Sequence, residues 1–499
     1  MGSIQIEVTA VSLLYRASRL GPARREARRF VSSVESDKYL FESVVEINRA
    51  HVIMLERQDI ITRDHALKIL RVLAKMRAIP ESPMAEDVHA AIEEVVIRRA
   101  GNSAGGNLQL AKSRNDQVAT AIRMRLRSEL LQVMDLLIEL LAELQKTISR
   151  HSKTLFVGRT HLQPAEPITY GHYLMAFHDA ITRDLQRLEE SYARLNLSPM
   201  GGCALAGTSV PVDRETVAAF LGFDGLVENS LDAVGSRDFA LEFLANMAEL
   251  SIDISRLAED LIFYATPEVG HLQLPQDLAF TSSIMPQKKN PDVIELIRAK
   301  CTLPIGAFSQ TATILHSLPM SYNLDLQEIT PSIWASSKAM QETIAILRIL
   351  ISKVRASDIR VDRADLIMTT ATEIANMLAT EFGLSFRVAH QLVASAAGEF
   401  SQSGSNQADL WFELVCQKAG RVVRDRSDKL RAGLSRAQTL RAVVMHKRSI
   451  GSPAPRETLR LLRKRAITLE RTGNRLHARR KRLALSKARL QREILRLIR

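Results

Sequence analysis

The sequence predicts an all-α protein built around long helices. Glycine (22 residues) and proline (16 residues) are sparse for a chain of 499 residues, and aromatic residues make up only 5%. β-Sandwiches and β-barrels need many turns, so this composition disfavours them. Hydrophobic residues at 46% and charged residues at 25% suffice to bury a core, which excludes wholesale disorder. A chain of this length allows two to four domains or one large helical body.

Long apolar runs with helical spacing follow one another through the middle of the chain. The clearest, residues 113–150, carries a broad apolar stripe and is long for a surface helix. Similar runs cover residues 167–195, 231–265, 292–317 and 331–354. Loops rich in glycine, serine or proline separate them, at 196–212, 266–291 and 318–330. Helices of this length describe an elongated bundle.

The segments on either side of these runs complete a division into four parts. Residues 30–100 are predicted to form helices joined by short turns, whereas residues 355–455 are more mixed and suit a small helical domain. We predict an N-terminal helical domain over 1–106, a central long-helix bundle over 107–354, a C-terminal helical domain over 355–455 and a basic, leucine-edged helical tail over 456–499.

The net charge of +13 comes from the tail. Residues 456–499 hold 16 lysines and arginines against 3 glutamates, whereas the other 455 residues carry 52 charges of each sign. The body therefore has no excess positive charge with which to attract polyanions. In the tail a leucine recurs every seventh residue from Leu462 to Leu497, but the second apolar row of a coiled coil is missing. We expect a basic helix that lays its leucine edge on the body and breaks at Gly473-Asn474; an arm that binds nucleic acid or an acidic partner is the alternative.

Cysteine usage and hydropathy bound the compartment. The three cysteines Cys203, Cys301 and Cys416 lie far apart without metal-ligand spacing, which disfavours a zinc module and a secreted disulfide scaffold. No stretch is apolar enough to cross a membrane. The arginine-rich residues 1–29 suit a helical arm or a transit peptide. We expect a cytoplasmic protein that does not contact membranes.

Six consecutive polar residues, 112–117, lead into the long run at 113–150. Ser113 and Asp116 have the spacing of a capping box, which alone would explain the cluster. The functional alternative is that Ser113, Arg114 and Asn115 lie at the positive end of the helix dipole and bind a carboxylate. The spacing does not separate these two interpretations.

The segment GRTHLQP at 158–164 puts His161 in a turn just before a predicted helix. A single histidine is more often a satisfied structural residue than a catalytic one. Proton transfer near neutral pH is nevertheless the chemistry that imidazole performs best. His161 is therefore a candidate for both roles.

The segment TSSIMPQKKNPD at 281–292 combines paired serines with paired lysines. Asn290 as N-cap and Pro291 as the first helical residue predict a helix start, which accounts for the end of the segment only. A serine is a poor base unless its alkoxide is stabilised. Lys288 and backbone N–H groups of the same loop could stabilise the alkoxide of Ser282.

Together these clusters resemble the fumarase/aspartase superfamily and, within it, the argininosuccinate lyase family. SSIMPQKKNPD at 282–292 is similar to the superfamily's signature loop, SRNDQVAT at 113–120 to the family's first region, and GRTHLQPAEPIT at 158–169 to its second. YNLDLQE at 322–328 resembles the segment on the citrulline side of the family's site. The likeness runs in consistent order over about residues 30–455.

The resemblance implies a three-domain, all-α fold whose long helices form a twenty-helix core in a homotetramer. It also implies active sites that each combine the three regions from three different subunits. The implied reaction is the reversible elimination of fumarate from argininosuccinate to give arginine, the last step of arginine biosynthesis, without a metal or an organic cofactor. A base removes a proton from Cβ, and an aci-carboxylate intermediate forms before the guanidinium nitrogen leaves.

The resemblance also assigns roles to residues of this chain. Ser282 is implied as the base. His161, oriented by Glu295, is implied to assist proton delivery to the leaving group, and Lys288 and Asn290 to hold the carboxylate on which charge develops. The implied substrate contacts are Ser113, Asn115 and Thr160 for the succinyl carboxylates and Tyr322 and Gln327 for the other end. Weaker matches add Ser33, Asp37, Asp87, His89, Arg237 and Asp238.

Two departures from the family pattern bear on the site. The signature glycine before the two serines is Thr281 here, and a residue with a side chain stiffens a loop that must close over substrate. The family often has a lysine shortly after DLQE, and Thr330 occupies that position. The second change weakens the implied recognition of the carboxylate on the arginine side.

Two other functions compete with this one. A sister elimination enzyme such as adenylosuccinate lyase is disfavoured by the YNLDLQE and QKKNPD segments. A non-catalytic relative, like the eye-lens crystallins of this family, is disfavoured because Ser282, His161, Lys288 and Asn290 are all present. The expected partners are argininosuccinate and further copies of the chain, with nucleic acid on the tail as a less favoured addition.

Overall fold

The structure of the protein is a computed structural model that describes residues 23–80, 85–359, 361, 363–423 and 427–498. Most of the arginine-rich segment 1–29 therefore lies outside the described residues. The helices of the first half are α1 Arg25–Val31, α2 Val34–Asp37, α3 Phe41–Arg57, α4 Arg63–Lys75, α5 Val88–Ala100, α6 Asn102–Gly105, α7 Arg114–Arg150, α8 Tyr170–Leu195, α9 Arg214–Leu221, α10 Ser230–Gly235 and α11 Asp238–Ala265. Those of the second half are α12 Asp292–Lys300, α13 Thr302–Leu315, α14 Thr330–Lys353, α15 Ala364–Ile367, α16 Ala371–Phe382, α17 Phe386–Gln402, α18 Ala408–Val423, α19 Ser427–Ser435, α20 Leu440–His446 and α21 Pro455–Ile498.

The long predicted runs are helices, and the all-α prediction is confirmed. α7, α8, α11 and α14 pack against one another, and α13 packs on α11 and α14. One run is interrupted: residues 292–317, predicted as a single helix, form α12 and α13, which meet at Cys301. Pro304 lies in the first turn of α13 and has no amide hydrogen to donate to the carbonyl of Lys300, so the ladder of hydrogen bonds cannot continue.

Short strands occupy the loops between helices. They are β1 Leu155–Thr160, β2 Gln163–Thr169, β3 Leu197–Ser198, β4 Gly225–Leu226, β5 Leu272–Gln273, β6 Phe280–Thr281, β7 Lys289–Asn290 and β8 Arg355–Ala356. β1 and β2 form an antiparallel hairpin in which Thr160 faces Gln163. β6 and β7 pair across the serine and lysine loop. Both features were predicted only as loops or turns.

One large hydrophobic cluster runs from α3 through the long helices to α21. A second, separate cluster joins α16 to α20 and is centred on the fully buried Trp411. A third small cluster, which includes Leu155, Val157 and Leu440, attaches the β1–β2 hairpin to α20. The division of the chain into four domains stays a prediction.

The tail helix α21 is 44 residues long and packs along α7, α9, α3, α4 and α8. Its leucine edge faces the body, with Leu476, Leu490 and Leu497 buried. The predicted break at Gly473-Asn474 is wrong, because α21 passes through both residues. A glycine inside a helix costs only about 1 kcal/mol, and the burial of nearby Leu476 outweighs that cost.

Much of the tail's charge is paired with the body. Arg465 donates from Nε and Nη2 to the two carboxylate oxygens of Asp179, at 2.7 and 2.9 Å. Arg475 binds Glu189 in the same two-pronged way, and Lys487 lies 2.8 Å from Glu46. Further pairs join Arg480 to Asp135, Arg482 to Asp224 and Arg496 to Glu56. The carboxylates that balance these cations therefore belong to the chain itself.

Among the described residues, we find no helix whose length and hydropathy would suit a bilayer crossing.

Candidate active site

Nine of the sequence-predicted site residues line one cavity of about 480 Å³. The cavity lies where α2, the start of α5, the start of α7 and the segment before α14 come together. The predicted residues in its lining are Ser33, Asp37, Asp87, His89, Arg114, Asn115, Arg237, Tyr322 and Gln327. Residues 33 and 327 are far apart in sequence, so the fold rather than local spacing brings them together.

Asp37 is the most buried carboxylate of the cavity wall. Its Oδ2 accepts hydrogen bonds from the Ser33 hydroxyl at 2.7 Å and from the Val88 amide at 3.2 Å. Burial raises the pKa of Asp37 to about 6, and these two hydrogen bonds hold the pKa below what burial alone would give. Asp37 thus titrates close to neutral pH at a wall that a ligand can reach.

Asp87 joins the cavity to two helix starts. Its Oδ1 accepts the Ala90 amide hydrogen and so caps α5. Its Oδ2 accepts a hydrogen bond of 2.9 Å from Arg114, the first residue of α7. Arg114 also lies 3.7 Å from Glu86. The guanidinium is therefore held at the cavity by two carboxylates that directly precede α5.

The predicted capping box at the start of α7 is confirmed. The Ser113 hydroxyl accepts the Asn115 amide hydrogen, and the Ser113 amide donates to Asp116 at 3.0 Å. Asp116 also accepts the backbone amides of Gly201 and Cys203, which fastens the loop after β3 to the helix start. Asn115 is left at the cavity wall, where its side chain donates to the Ala204 carbonyl. Capping and a ligand role for Asn115 are therefore compatible.

Arg237 adds a buried cation to the same cavity. It is only 2% exposed, and its Nη1 donates to the Val234 and Ser236 carbonyls. Within the described chain, its Nε and Nη2 have no hydrogen-bond partner. Burial lowers the pKa of Arg237 to about 10, so the side chain is still charged at neutral pH. An arginine in this position can receive an anionic group of a ligand.

Three further lining residues complete the wall. His89 is buried, and burial lowers its pKa to about 4, so the imidazole is neutral at pH 7. Burial raises the pKa of Tyr322, which keeps its hydroxyl protonated. Thr330, at the position where the family often has a lysine, lines the cavity and donates its hydroxyl to the Gln327 carbonyl. The cavity wall therefore carries a neutral side chain at residue 330.

His161 and Thr160 lie at the tip of the β1–β2 hairpin, not in a simple turn before a helix as predicted. His161 and Leu162 are the two central residues of the tip, and both have positive φ, 54° and 62°. The imidazole is exposed, and Leu162 is 69% exposed. The hairpin therefore presents His161 away from the body of its own chain.

Ser282 lies in the loop between β6 and β7. Its Oγ accepts two backbone hydrogen bonds, from Ile284 at 3.3 Å and from Met285 at 3.1 Å. Two N–H donors on one hydroxyl oxygen favour a negative charge on that oxygen. Lys288 is exposed in the same loop, and its carbonyl accepts the Ser282 amide hydrogen.

The predicted cap at the end of this loop is wrong. Asn290 is in β7, and α12 begins at Asp292 with Pro291 before it and no side-chain cap. Asn290 is tied to the strand pair with Phe280, which orients its backbone across the loop rather than along the helix. Its side chain remains available for the ligand role that the resemblance implies.

One chain leaves the predicted site residues in separate places. The cavity lining contains none of Thr160, His161, Ser282, Lys288, Asn290 and Glu295. Glu295 is exposed on α12, and within the described residues no hydrogen bond joins it to His161. Ser113 is not part of the cavity lining either, although its neighbours Arg114 and Asn115 are. The cavity, the hairpin tip and the serine loop are three separate surfaces of a single chain.

Comparison with known proteins identifies the family of the chain. The chain is 41% identical over 471 residues to an argininosuccinate lyase of Methanothrix thermoacetophila, and the match covers 93% of this chain and 95% of that protein. The chain belongs to the argininosuccinate lyase family. An argininosuccinate lyase of Methanocaldococcus jannaschii is 36% identical over 451 residues, which cover 89% of this chain and 92% of that protein. The predicted family is confirmed.

Family patterns match two stretches of the chain. One described as "Lyase" matches residues 62–306, and one described as "Argininosuccinate lyase C-terminal" matches residues 368–430. The first stretch contains the capping box, the hairpin and the serine loop. The second lies in the part of the chain that forms the separate cluster around Trp411.

Solved structures with the same fold include other lyases. A crystal structure of EDDS lyase in complex with formate matches with a TM-score of 0.82 and 29% identity, covering 92% of each chain. A class II fumarase from Schistosoma mansoni matches with a TM-score of 0.63 and 16% identity, covering 79% of this chain and 90% of that one. The second likeness concerns the fold alone. The predicted fumarase/aspartase-like fold is confirmed by both.

The described part of the chain has no group of three or more histidine, cysteine, aspartate or glutamate residues arranged to hold an ion.

Proposed function

We propose that this protein is an argininosuccinate lyase that eliminates fumarate reversibly from argininosuccinate and leaves arginine, as its family does in arginine biosynthesis. The observation that carries the proposal is the 41% identity to a curated argininosuccinate lyase over nearly the whole of both chains. The cavity supports it chemically. Argininosuccinate carries carboxylates, an ammonium and a guanidinium, and the wall offers both Arg114 and Arg237 for anions and Asp37 for a cation.

In the proposed mechanism Ser282 is the base that removes the Cβ proton. The two backbone N–H groups on its Oγ support this role, because they stabilise the alkoxide that a serine base requires. Lys288 and Asn290 hold the carboxylate on which charge develops as the aci-carboxylate forms. The guanidinium nitrogen then leaves, with proton delivery assisted by His161 and with Glu295 orienting the imidazole.

Substrate binding is proposed for the cavity wall together with two predicted residues outside its lining, Ser113 and Thr160. Ser113, Arg114, Asn115 and Thr160 bind the succinyl carboxylates, while Tyr322, Gln327, Ser33 and Asp37 contact the other end. The Oδ2 of Asp37 is already occupied by Ser33 and Val88, which leaves Oδ1 for the substrate. Thr330 offers a neutral hydroxyl where the family often has a charged lysine. Arg237 is therefore proposed to make the main charged contact with the carboxylate at this end of the substrate.

We further propose that the protein acts as a homotetramer with sites shared between subunits. The hairpin tip and the serine loop are exposed and lie outside the cavity of their own chain, which supports completion of each site by other copies. A row of exposed apolar side chains on α12 and α13 gives those copies a surface to cover: Leu296, Leu303, Ile305 and Phe308. No metal or organic cofactor has a part in this mechanism.

A cytoplasmic location is proposed from the cysteines. Cys203, Cys301 and Cys416 are all free, and two of them are buried. Free, buried thiols suit a reducing compartment.

The tail's pairing with body carboxylates supports a structural role for its charge over a role in binding nucleic acid. A nucleic-acid arm predicts a salt-dependent gel shift that deletion of residues 456–499 removes.

The test of the function is fumarate release, followed by ultraviolet absorbance. Argininosuccinate, adenylosuccinate and EDDS are offered separately to the assembled protein. Turnover of argininosuccinate well above the other two supports the proposal. Preference for adenylosuccinate or EDDS would replace the substrate while keeping the elimination chemistry. Silence with all three, in a folded oligomer, favours a non-catalytic relative.

A further inference from the structure

The tip of the β1–β2 hairpin has an unusual backbone for its sequence. A two-residue hairpin turn with positive φ at both central positions normally uses Asn-Gly or Asp-Gly, because most L-residues avoid that region. Here the two positions are His161 and Leu162, with φ of 54° and 62°. Histidine is found in this conformation more often than most residues, but a bulky leucine avoids it, so contacts beyond these two residues must help to hold the tip.

Arg159 makes such a contact. Its Nη1 donates a hydrogen bond of 2.8 Å to the carbonyl of Leu162, across the turn from its own position. This bond fixes the peptide group that directly follows the strained residue. The same strand pair has an irregular register between Gly158 and Arg159, which turns the arginine side chain out of the regular alternation.

Arg159 is itself fastened to the helical core. Its guanidinium carbon lies 5.3 Å from the ring centroid of Phe263, near the end of α11. A cation over an aromatic face is an attractive contact, and Phe263 packs against the main hydrophobic cluster. One planar side chain therefore connects a rigid helix to the tip that carries His161.

The other strand of the hairpin has a separate anchor. Lys447 lies 2.8 Å from Glu166 of β2 and 3.1 Å from Glu373 of α16. The base of β1 is held by Asp358, which accepts the Leu155 amide hydrogen. These contacts secure the body of the hairpin, whereas Arg159 acts on its tip.

We propose that Arg159 is the positioning residue for His161: it holds the left-handed tip and ties it to α11, so that the imidazole is presented in a fixed direction. The inference rests on the proposed function, in which His161 assists the proton transfer in a site completed by another chain. Arg159 does not touch substrate in this account, and its effect is on the rate of the proton-transfer step.

The first test compares Arg159→Met with the wild-type tetramer. Loss of the tie should lower kcat about tenfold or more, because a small misplacement of a reacting group costs up to about a hundredfold, while KM changes little. Arg159→Lys retains the charge but not the planar fork, so it should recover only part of kcat. Wild-type kcat in Arg159→Met would overturn the proposal, as would a raised KM with unchanged kcat.

A second variant tests the role of the positive φ at Leu162. Leu162→Gly should restore several-fold of the lost kcat when combined with Arg159→Met, since glycine accepts positive φ at this turn position without strain. The same substitution in the wild-type background should change kcat less than about twofold. Absence of any rescue would contradict the role assigned to the turn.

A matched control separates position from charge. Arg363 is a second arginine near the hairpin: burial first, and then Arg159 and Arg363 together, lower the pKa of the buried His271 to about 4. Arg363→Met removes the same charge from that neighbourhood but leaves the turn contact intact. It should keep wild-type kcat, and a loss equal to that of Arg159→Met would overturn the proposal.

Hydrogen–deuterium exchange supplies a readout that does not depend on activity. In Arg159→Met the amides of residues 160–163 should exchange faster, while peptides from α11 exchange as in the wild type. If the wild-type protein released no fumarate, the proposed function would fail, yet this exchange comparison would still decide whether Arg159 holds the tip. Unchanged exchange at the tip would refute the positioning role.

Discussion

The cavity and the two exposed loops differ in how far a single chain completes them. In the cavity, Ser33 donates a hydrogen bond to the buried Asp37, and the half-buried Arg114 donates one to Asp87. At the hairpin tip and in the serine loop, His161 and Lys288 face away from their own chain. The cavity is thus organised by the folding of one chain, whereas the side chains of the two loops are left exposed. This difference teaches that the predicted site residues fall on separate parts of the fold.

The largest effect is expected from the serine loop. Ser282→Ala removes the proposed base and should lower kcat by about a thousandfold, with folding and assembly unchanged. Ser283→Ala is the matched control, since it changes the adjacent, exposed serine and should keep most of the activity. Fumarate release by the purified oligomers is the measurement. Near-normal turnover in Ser282→Ala would mean that the base is another group.

Mixing two inactive variants tests whether the cavity and the exposed loops differ in how many chains they need. An inactive His161→Asn variant mixed with inactive Ser282→Ala should regain partial activity after subunit exchange, because some sites then combine an intact hairpin with an intact loop. Asp37→Asn mixed with Gln327→Ala should regain none, since both residues line the cavity of the same chain. Recovery in the second pair, or none in the first after confirmed exchange, would break the distinction between the two regions.

The tail helix offers a test of stability without chemistry. α21 packs on α3 and α7, which carry cavity residues or lead to them. Leu476→Ala empties a site that is 2% exposed and should lower the free energy of unfolding by about 2–5 kcal/mol. Leu485→Ala makes the same change at a position 58% exposed on the same helix and should cost under about 0.5 kcal/mol. Equal losses in chemical denaturation would show that the leucine edge does not carry the docking.

The smallest effect concerns the pH dependence of the cavity. The pKa of Asp37 in the folded protein, about 6, lies above the ordinary value of 3.8 for an aspartate, so the folded state binds this proton more tightly than the unfolded state. The resulting stability is fully present below about pH 4 and is lost as the pH rises through 6. Asp37→Asn should therefore gain up to about 3 kcal/mol relative to the wild type between pH 4 and pH 7.

Thermal unfolding across that pH range measures the difference. Asp325→Asn, an exposed carboxamide substitution in the segment before α14, should follow the wild-type curve. A difference between Asp37→Asn and the wild type that stays constant with pH would mean that Asp37 does not titrate in this window. The cavity would then be less desolvated than its burial indicates.

Much of the fold could be predicted from the sequence because long apolar stripes determine where helices pack. Ser113 and Asp116 gave the start of α7 correctly, since a capping box acts over four residues and needs no partner elsewhere. The prediction of Asn290 as a helix cap failed because the residue pairs with Phe280 in the β6–β7 strand pair instead. The prediction of a helix break at Gly473 failed because the low helix propensity of glycine costs less free energy than the burial of Leu476 gains.

The site could be predicted in its residues but not in its arrangement. The hairpin was missed because His161 and Leu162 replace the usual turn residues, and the contact that compensates comes from Arg159 and Phe263, which are far apart in sequence. The motifs also could not reveal that the cavity excludes Ser282 and His161. That separation follows from where whole helices lie, and no local pattern encodes it.

The ion pairs of α21 have a consequence for how the chain is completed during synthesis. Arg465 and Arg475 reach back 286 positions to Asp179 and Glu189, so a segment that leaves the ribosome late closes a surface made much earlier. Until then, that surface is an apolar groove bordered by unbalanced carboxylates. A nascent chain that stops before residue 455 would keep the groove open, and such prematurely ended products would be prone to aggregation and to recognition by chaperones.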